Sequence, residues 1–107
     1  MTDLDFDLTV ARQDGTCRLT LRGELDLATA ARLEQALAAA GDDVVLDLRD
    51  LTFMDSTGVR VLLEAAEGHG PGLRMIAPAT GEVWVTIEET GIAPLLPLVD
   101  AETEERP

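Results

Sequence analysis

The chain has 107 residues, 46% of them apolar and only 3% aromatic, and its net charge of −13 comes from 21 acidic residues against eight arginines with no lysine. That length suits a single domain, residues 1–107, with one core built from Leu, Val and Ala rather than from stacked rings. The charge excludes nucleic acid and anionic membrane as partners, both of which need a basic surface, and favours a protein partner with a complementary basic face. The lone Cys17 excludes an internal disulfide framework, no apolar run approaches the ~20 residues of a membrane span, and the acidic start Met1-Thr2-Asp3-Leu4-Asp5 is no signal peptide. A soluble cytoplasmic protein is expected.

The first twenty residues alternate. Leu4, Phe6, Leu8 and Val10 share one face, with Asp3, Asp5, Asp7 and Thr9 on the other; Gln13-Asp14-Gly15 supplies turn chemistry. Cys17, Leu19 and Leu21 then alternate with Arg18, Thr20 and Arg22. The pattern predicts a hairpin from about Leu4 to Arg22 whose outer face is acidic on one strand and basic on the next. Beyond Gly23-Glu24-Leu25, Asp26 is placed to cap a helix over Leu27–Ala40, with Ala30, Leu33, Leu37 and Ala40 buried and Gly41 closing it.

Val44 to Glu67 holds the centre. Val44, Leu46 and Leu48 alternate and Val45 adds apolar surface behind them, so a strand covered on both faces is expected, followed by a loop from Arg49 to Met54. A helix over about Thr57–Glu67 follows, with Val59, Leu62, Leu63 and Ala66 as its inner stripe and Arg60–Glu64 as a solvent-side pair. Between them stands Asp55-Ser56-Thr57-Gly58. Asp, Ser and Thr are favoured N-caps, so capping alone explains the quartet on local grounds. The same position also suits a phosphate, since helix-terminal N–H groups and the positive end of the dipole face it.

Gly68 to Gly72 is a glycine-rich loop, and Arg74–Ala77 reads as a further strand. Residues 81–90 fit either a strand (Val83, Val85, Ile87) or a helix ended by Gly91, with Pro78-Ala79-Thr80 as a helix start signal. Trp84 reads as a packing residue. Leu96–Val99 is expected to be a short edge strand, and the acidic tail 100–107 to be frayed. Strands alternating with helices after a hairpin give an α/β fold of two layers.

The stretch DLRDLTFMDSTGVRVLL resembles the phosphoacceptor segment of the STAS family, in particular the anti-sigma factor antagonists of bacteria. Gly23-Glu24-Leu25-Asp26 resembles that family's G-E-L-D element, and Thr90-Gly91-Ile92 with Leu95-Leu96-Pro97 resembles its closing T-G-L…LLP stretch. The resemblance runs from roughly Leu8 to Val99. It implies a STAS-like mixed β-sheet with an N-terminal hairpin and helices packed against it, and it favours helix for residues 81–90, although a proline common near Gly81 is missing. It further implies a phosphoacceptor at Ser56 and a partner-binding surface at Gly23, Glu24, Asp26, Asp55, Ser56, Thr57 and Gly58. The implied partners are an anti-sigma factor that is also a serine kinase of the GHKL type, and a PPM-type serine phosphatase. No cofactor is implied, ATP being the kinase's substrate.

Two other function classes compete. A strand, a serine-bearing turn and a helix is also the layout of a hydrolase nucleophile elbow. That elbow needs G-x-S-x-G, whereas Met54 stands two before Ser56, and the single imidazole, His69, lies ~20 Å along a helix. Neither a G-x-x-x-x-G-K-[ST] phosphate loop nor metal-ligand spacing occurs in the sequence, so catalytic and metal residues are expected to be none. The second class is a STAS scaffold that is never phosphorylated, carried in a larger signalling or transport assembly.

Overall fold

In the computed structural model, residues 6–101 are described, and their first two strands form the expected hairpin. β1 (Phe6–Gln13) and β2 (Thr16–Leu25) pair antiparallel from Phe6↔Gly23 to Gln13↔Thr16. Asp14 and Gly15 take positive φ angles of 54° and 83°, the primed-turn geometry whose twist matches the flanking strands. Leu4 and the aspartates at 3 and 5 lie outside the described residues. Of the expected cross-strand charges, Asp7 does stand opposite Arg22. Val10, expected inside, is 53% exposed, because β1 is the sheet's edge strand and only Phe6 on it is fully covered.

The four strands run in the order β1-β2-β3-β4. β3 (Val44–Met54) lies parallel to β2, and β4 (Leu73–Ile76) lies parallel to β3. The loop expected from Arg49 to Met54 is therefore strand. Two register shifts against β2, between Thr20 and Arg22 and between Gly23 and Glu24, each leave an extra residue on β3. Such bulges break the period of two, so the segment looks irregular in sequence although its pairing continues to Leu25↔Met54. At the second shift Gly23 has φ of 92°, a region that a side chain rarely adopts.

Three helices cover one face of the sheet. α1 spans Ala30–Ala39, α2 Ser56–Gly68 and α3 Glu82–Glu89. Their buried residues Ala30, Leu33, Val61, Leu62, Val83 and Ile87 join Cys17, Leu19, Leu21, Leu46, Leu48 and Met75 of the sheet in one apolar cluster. Residues 81–90 are thus helix rather than strand, though the helix begins after Gly81, not at the Pro78-Ala79-Thr80 signal. Trp84 packs half-buried against the cluster. The expected inner stripe of α2 is shifted by one position: Gly58, Val61 and Leu62 are buried, while Val59, Leu63 and Ala66 lie at its border.

The chain's last described segment is less regular than expected. A 3-10 turn at Ala93–Leu95 leads to a single bridge, Leu98 beside Met75, in place of a strand over Leu96–Val99. Its bonds are real nonetheless: Met75 N–H donates to Pro97 O and Val99 N–H to Met75 O, both at 2.9 Å. The tail expected to fray lies beyond Ala101, outside the described residues apart from Asp100 and Ala101.

Candidate functional site

Because β2, β3 and β4 are parallel, their carboxyl ends meet at one edge, the edge where open α/β sheets gather their binding groups. Two strand-to-helix junctions are adjacent there. Leu25 pairs with Met54, and the Asp55 N–H donates to Leu25 O at 3.3 Å. The segments Gly23–Asp26 and Asp55–Gly58 therefore lie side by side.

Asp55 is the N-cap of α2. Its backbone is extended (φ −100°, ψ −169°), and Oδ1 accepts from Thr57 N at 2.9 Å and Gly58 N at 3.1 Å. Ser56 is the first residue of the helix and is exposed; among the described residues no hydrogen bond engages its hydroxyl. This geometry amends one expectation. The first-turn donors that would receive a phosphate are largely taken, since Asp55 already holds two of them.

Gly58 explains how the quartet is held so close to β2. A Cβ built there would stand 2.4 Å from Met54 Cγ, 2.9 Å from Leu25 O and 3.2 Å from Leu25 Cγ. Only a residue without a side chain lets the first turn of α2 rest on the ends of β2 and β3.

The neighbouring junction differs from its expected form. Asp26 does not begin the helix directly: α1 starts at Ala30, with Thr29 as its cap residue, three positions later than Leu27. Asp26 Oδ1 accepts from Ala28 N at 3.0 Å and Thr29 N at 3.2 Å, while Thr29 Oγ1 accepts from Asp26 N at 3.0 Å. That reciprocal pair is a capping box closed over one turn. The Thr29 hydroxyl also donates to Glu24 O at 2.9 Å, tying the turn to the end of β2. Thr29 was missed in the sequence, although the Asp-x-x-Thr spacing was its signal. Leu27, at the outer tip of this turn, is 78% exposed, and Phe53, beside Glu24, is 39% exposed.

The sheet's other face carries a charge cluster. Asp47, 5% exposed, receives Arg49 Nε at 3.0 Å and Nη2 at 2.8 Å, with Arg18 Nη2 at 3.5 Å. Burial alone would raise its carboxyl pKa. The bonds from the Arg49 side chain and backbone N–H, with the charges of Arg49 and Arg18, outweigh this and hold the carboxyl below the usual carboxylate range. His69 caps the opposite end of α2 from Ser56. No helix of the described residues is long and apolar enough to cross a membrane, and no group of three or more His, Cys, Asp and Glu among them is placed to hold a metal.

A domain model described as "Mlab, STAS domain" matches residues 8–97. The chain belongs to the STAS domain family, an α/β fold with a mixed sheet. Its similar proteins include anti-sigma factor antagonists. It is 35% identical over 80 residues to the anti-sigma-F factor antagonist RsfB of Mycobacterium tuberculosis, a match covering 71% of this chain and 66% of that protein, just under two thirds of its length. A crystal structure of an anti-sigma factor antagonist from Mycobacterium paratuberculosis superposes with a TM-score of 0.75 at 30% identity, covering 87% of this chain and 84% of the other. The unphosphorylated form of the antagonist SpoIIAA superposes with a TM-score of 0.67 at 24% identity, over 92% of this chain and 91% of that one, and shows the shared fold.

Proposed function

We propose that this chain is an anti-sigma factor antagonist whose binding is switched by phosphorylation of Ser56. The unphosphorylated protein binds an anti-sigma factor that is also a serine kinase of the GHKL type, and so frees a sigma factor. The kinase transfers the γ-phosphoryl group of ATP to Ser56 Oγ, with loss of the hydroxyl proton and release of ADP. A PPM-type phosphatase restores the serine. The chain acts as one cytoplasmic domain, performs no catalysis of its own, and engages neither nucleic acid nor membrane. Its docking surface comprises Gly23, Glu24, Asp26, Asp55, Ser56, Thr57 and Gly58.

One observation carries this reading: an exposed, unengaged serine on the first turn of α2, hydrogen-bonded through its neighbour Asp55 to the Gly23–Asp26 segment. The relatives named as anti-sigma factor antagonists support it, as does the existence of SpoIIAA in both unphosphorylated and phosphorylated forms. The energetics are sufficient. Weakening a complex a hundredfold requires ~2.7 kcal/mol. A phosphate of charge about −1.5 to −2, buried in an interface without a partner, costs several kcal/mol. Blocking at the surface therefore suffices without a change of fold.

Ser56→Ala should retain binding to the cognate kinase and accept no phosphate. Ser56→Asp should bind more weakly than wild type, though less weakly than phosphoprotein, because one carboxylate carries less charge and fewer acceptor oxygens. Thr57→Ala should still be phosphorylated. Incubation with kinase and ATP, mass spectrometry and calorimetry read these outcomes. Phosphate on Thr57 with Ser56 intact would overturn the site. Equal kinase affinity for the two forms would overturn the switch and leave a STAS scaffold as the better reading.

A further inference from the structure

Ser56 and Arg60 stand four residues apart on α2, on successive turns of one helix face. Arg60 Nη1 donates to Glu64 Oε1 at 2.9 Å and stands 3.8 Å from Glu34 Oε2, so it links α2 to α1. Its side chain is 51% exposed, which leaves room to reorient. The two junction segments, residues 23–29 and 53–60, carry Glu24, Asp26 and Asp55, with Arg60 as their single basic residue. Two of the first-turn backbone donors, the Thr57 and Gly58 N–H groups, are occupied by Asp55.

We propose that Arg60 is the internal ligand of phosphorylated Ser56, and that modification exchanges its bonds with Glu64 and Glu34 for bonds to the phosphate. This rests on the reading of Ser56 as the phosphoacceptor. An anion four residues N-terminal to a cation is the favoured order on a helix. A guanidinium also pairs with a phosphate in two parallel bonds that a dianion strengthens beyond what a carboxylate offers. Asp55 remains as the cap and repels the phosphate, which directs it along the helix toward Arg60. Glu34 on α1 then loses its partner, so a mark placed on α2 alters the charge presented by α1.

The test uses full-length protein with phosphoserine inserted at position 56 during translation, so that no kinase is involved. The second ionisation of the phosphate, near pH ~6 in an unperturbed phosphoserine, is followed by phosphorus NMR. Arg60→Gln should raise that pKa by about 0.15–0.4 unit, since the lost cation favoured the dianion. Arg60→Lys should recover part of the difference, and the Arg60 Nε–Hε resonance of wild type should titrate with the phosphate. Equal pKa values in wild type and Arg60→Gln, or an Arg60 resonance indifferent to the phosphate, would overturn the proposal. A kinase that fails to modify Ser56 would instead defeat the functional reading, leaving the Arg60 result to be judged separately.

Discussion

Gly58→Ala separates two effects that usually coincide. In a helix interior, alanine is more favourable than glycine by about 1 kcal/mol. Here the new methyl group would meet Met54 Cγ at 2.4 Å and Leu25 O at 2.9 Å. Met54 can adjust its side chain, but Leu25 O is backbone, fixed by the pairing of Leu25 with Met54. Overpacking of this kind costs about 1–3 kcal/mol and, with two contacts under 3.0 Å, the upper part of that range applies here. The net expectation is a loss of about 1–2 kcal/mol. Gly68→Ala is the control. It lies in the same helix, its added Cβ meets nothing within 4 Å, and its propensity gain is unopposed. Urea unfolding reads both. With a slope of about 1–1.5 kcal/mol/M, Gly58→Ala should lower the midpoint by roughly 1 M and Gly68→Ala should leave it unchanged or raise it. Amide shifts of Gly23–Asp26 should move in Gly58→Ala alone, because the displaced turn rests on that segment. A Gly58→Ala protein as stable as wild type would refute the close-packing argument for the quartet.

Two more predictions concern charge and capping. Asp47→Asn removes a charge-assisted pair with Arg49 and should destabilise the fold by about 1.5–3 kcal/mol at neutral pH. Because the folded carboxyl is held below its ordinary value near 3.8, its contribution is present above that value and lost as pH falls below it, so denaturant melts of wild type and Asp47→Asn should converge at acid pH. A constant gap down to pH 2 would count against the ion pair. Thr29→Ala should cost about 0.5–2 kcal/mol and weaken hydrogen-exchange protection over Asp26–Ala30; unchanged protection would show that the capping box contributes nothing.

What could be read in advance depended on whether a segment's period survived folding. β1, β2 and the first half of β3 keep strict alternation, and both helices beside the site keep a 3.6 repeat, so element order and the mixed sheet were legible. Arg49–Met54 was not, because two bulges insert residues that pair with nothing and scramble the alternation. The start of α1 was misplaced for a different reason. Asp26 is a good cap by type, but Thr29 completes a separate turn first, and only the reciprocal bonds reveal it. Val59 and Leu63 fit the helix period as well as Gly58 and Val61 do. A glycine gives no hydropathy signal, so the closest helix–sheet contact was invisible in the pattern. The juxtaposition of the two junctions was legible because parallel neighbours must end at the same edge. The occupation of the Thr57 and Gly58 N–H donors by Asp55 was not, since a cap residue and a vacant anion cradle look alike in one dimension.

That occupancy sets how the protein can hold information. With Asp55 seated on the Thr57 and Gly58 N–H groups, free inorganic phosphate or an acidic metabolite finds few donors at this helix end. Dissolved anions would therefore be poor mimics of the phosphorylated state proposed above, and fluctuations in their concentration would not leak into such a signal. Under the proposed switch, a mark at Ser56 would be written as a bond and erased by hydrolysis. Its lifetime would belong to the enzymes that make and break it, making the surface a register of past events rather than a concentration gauge.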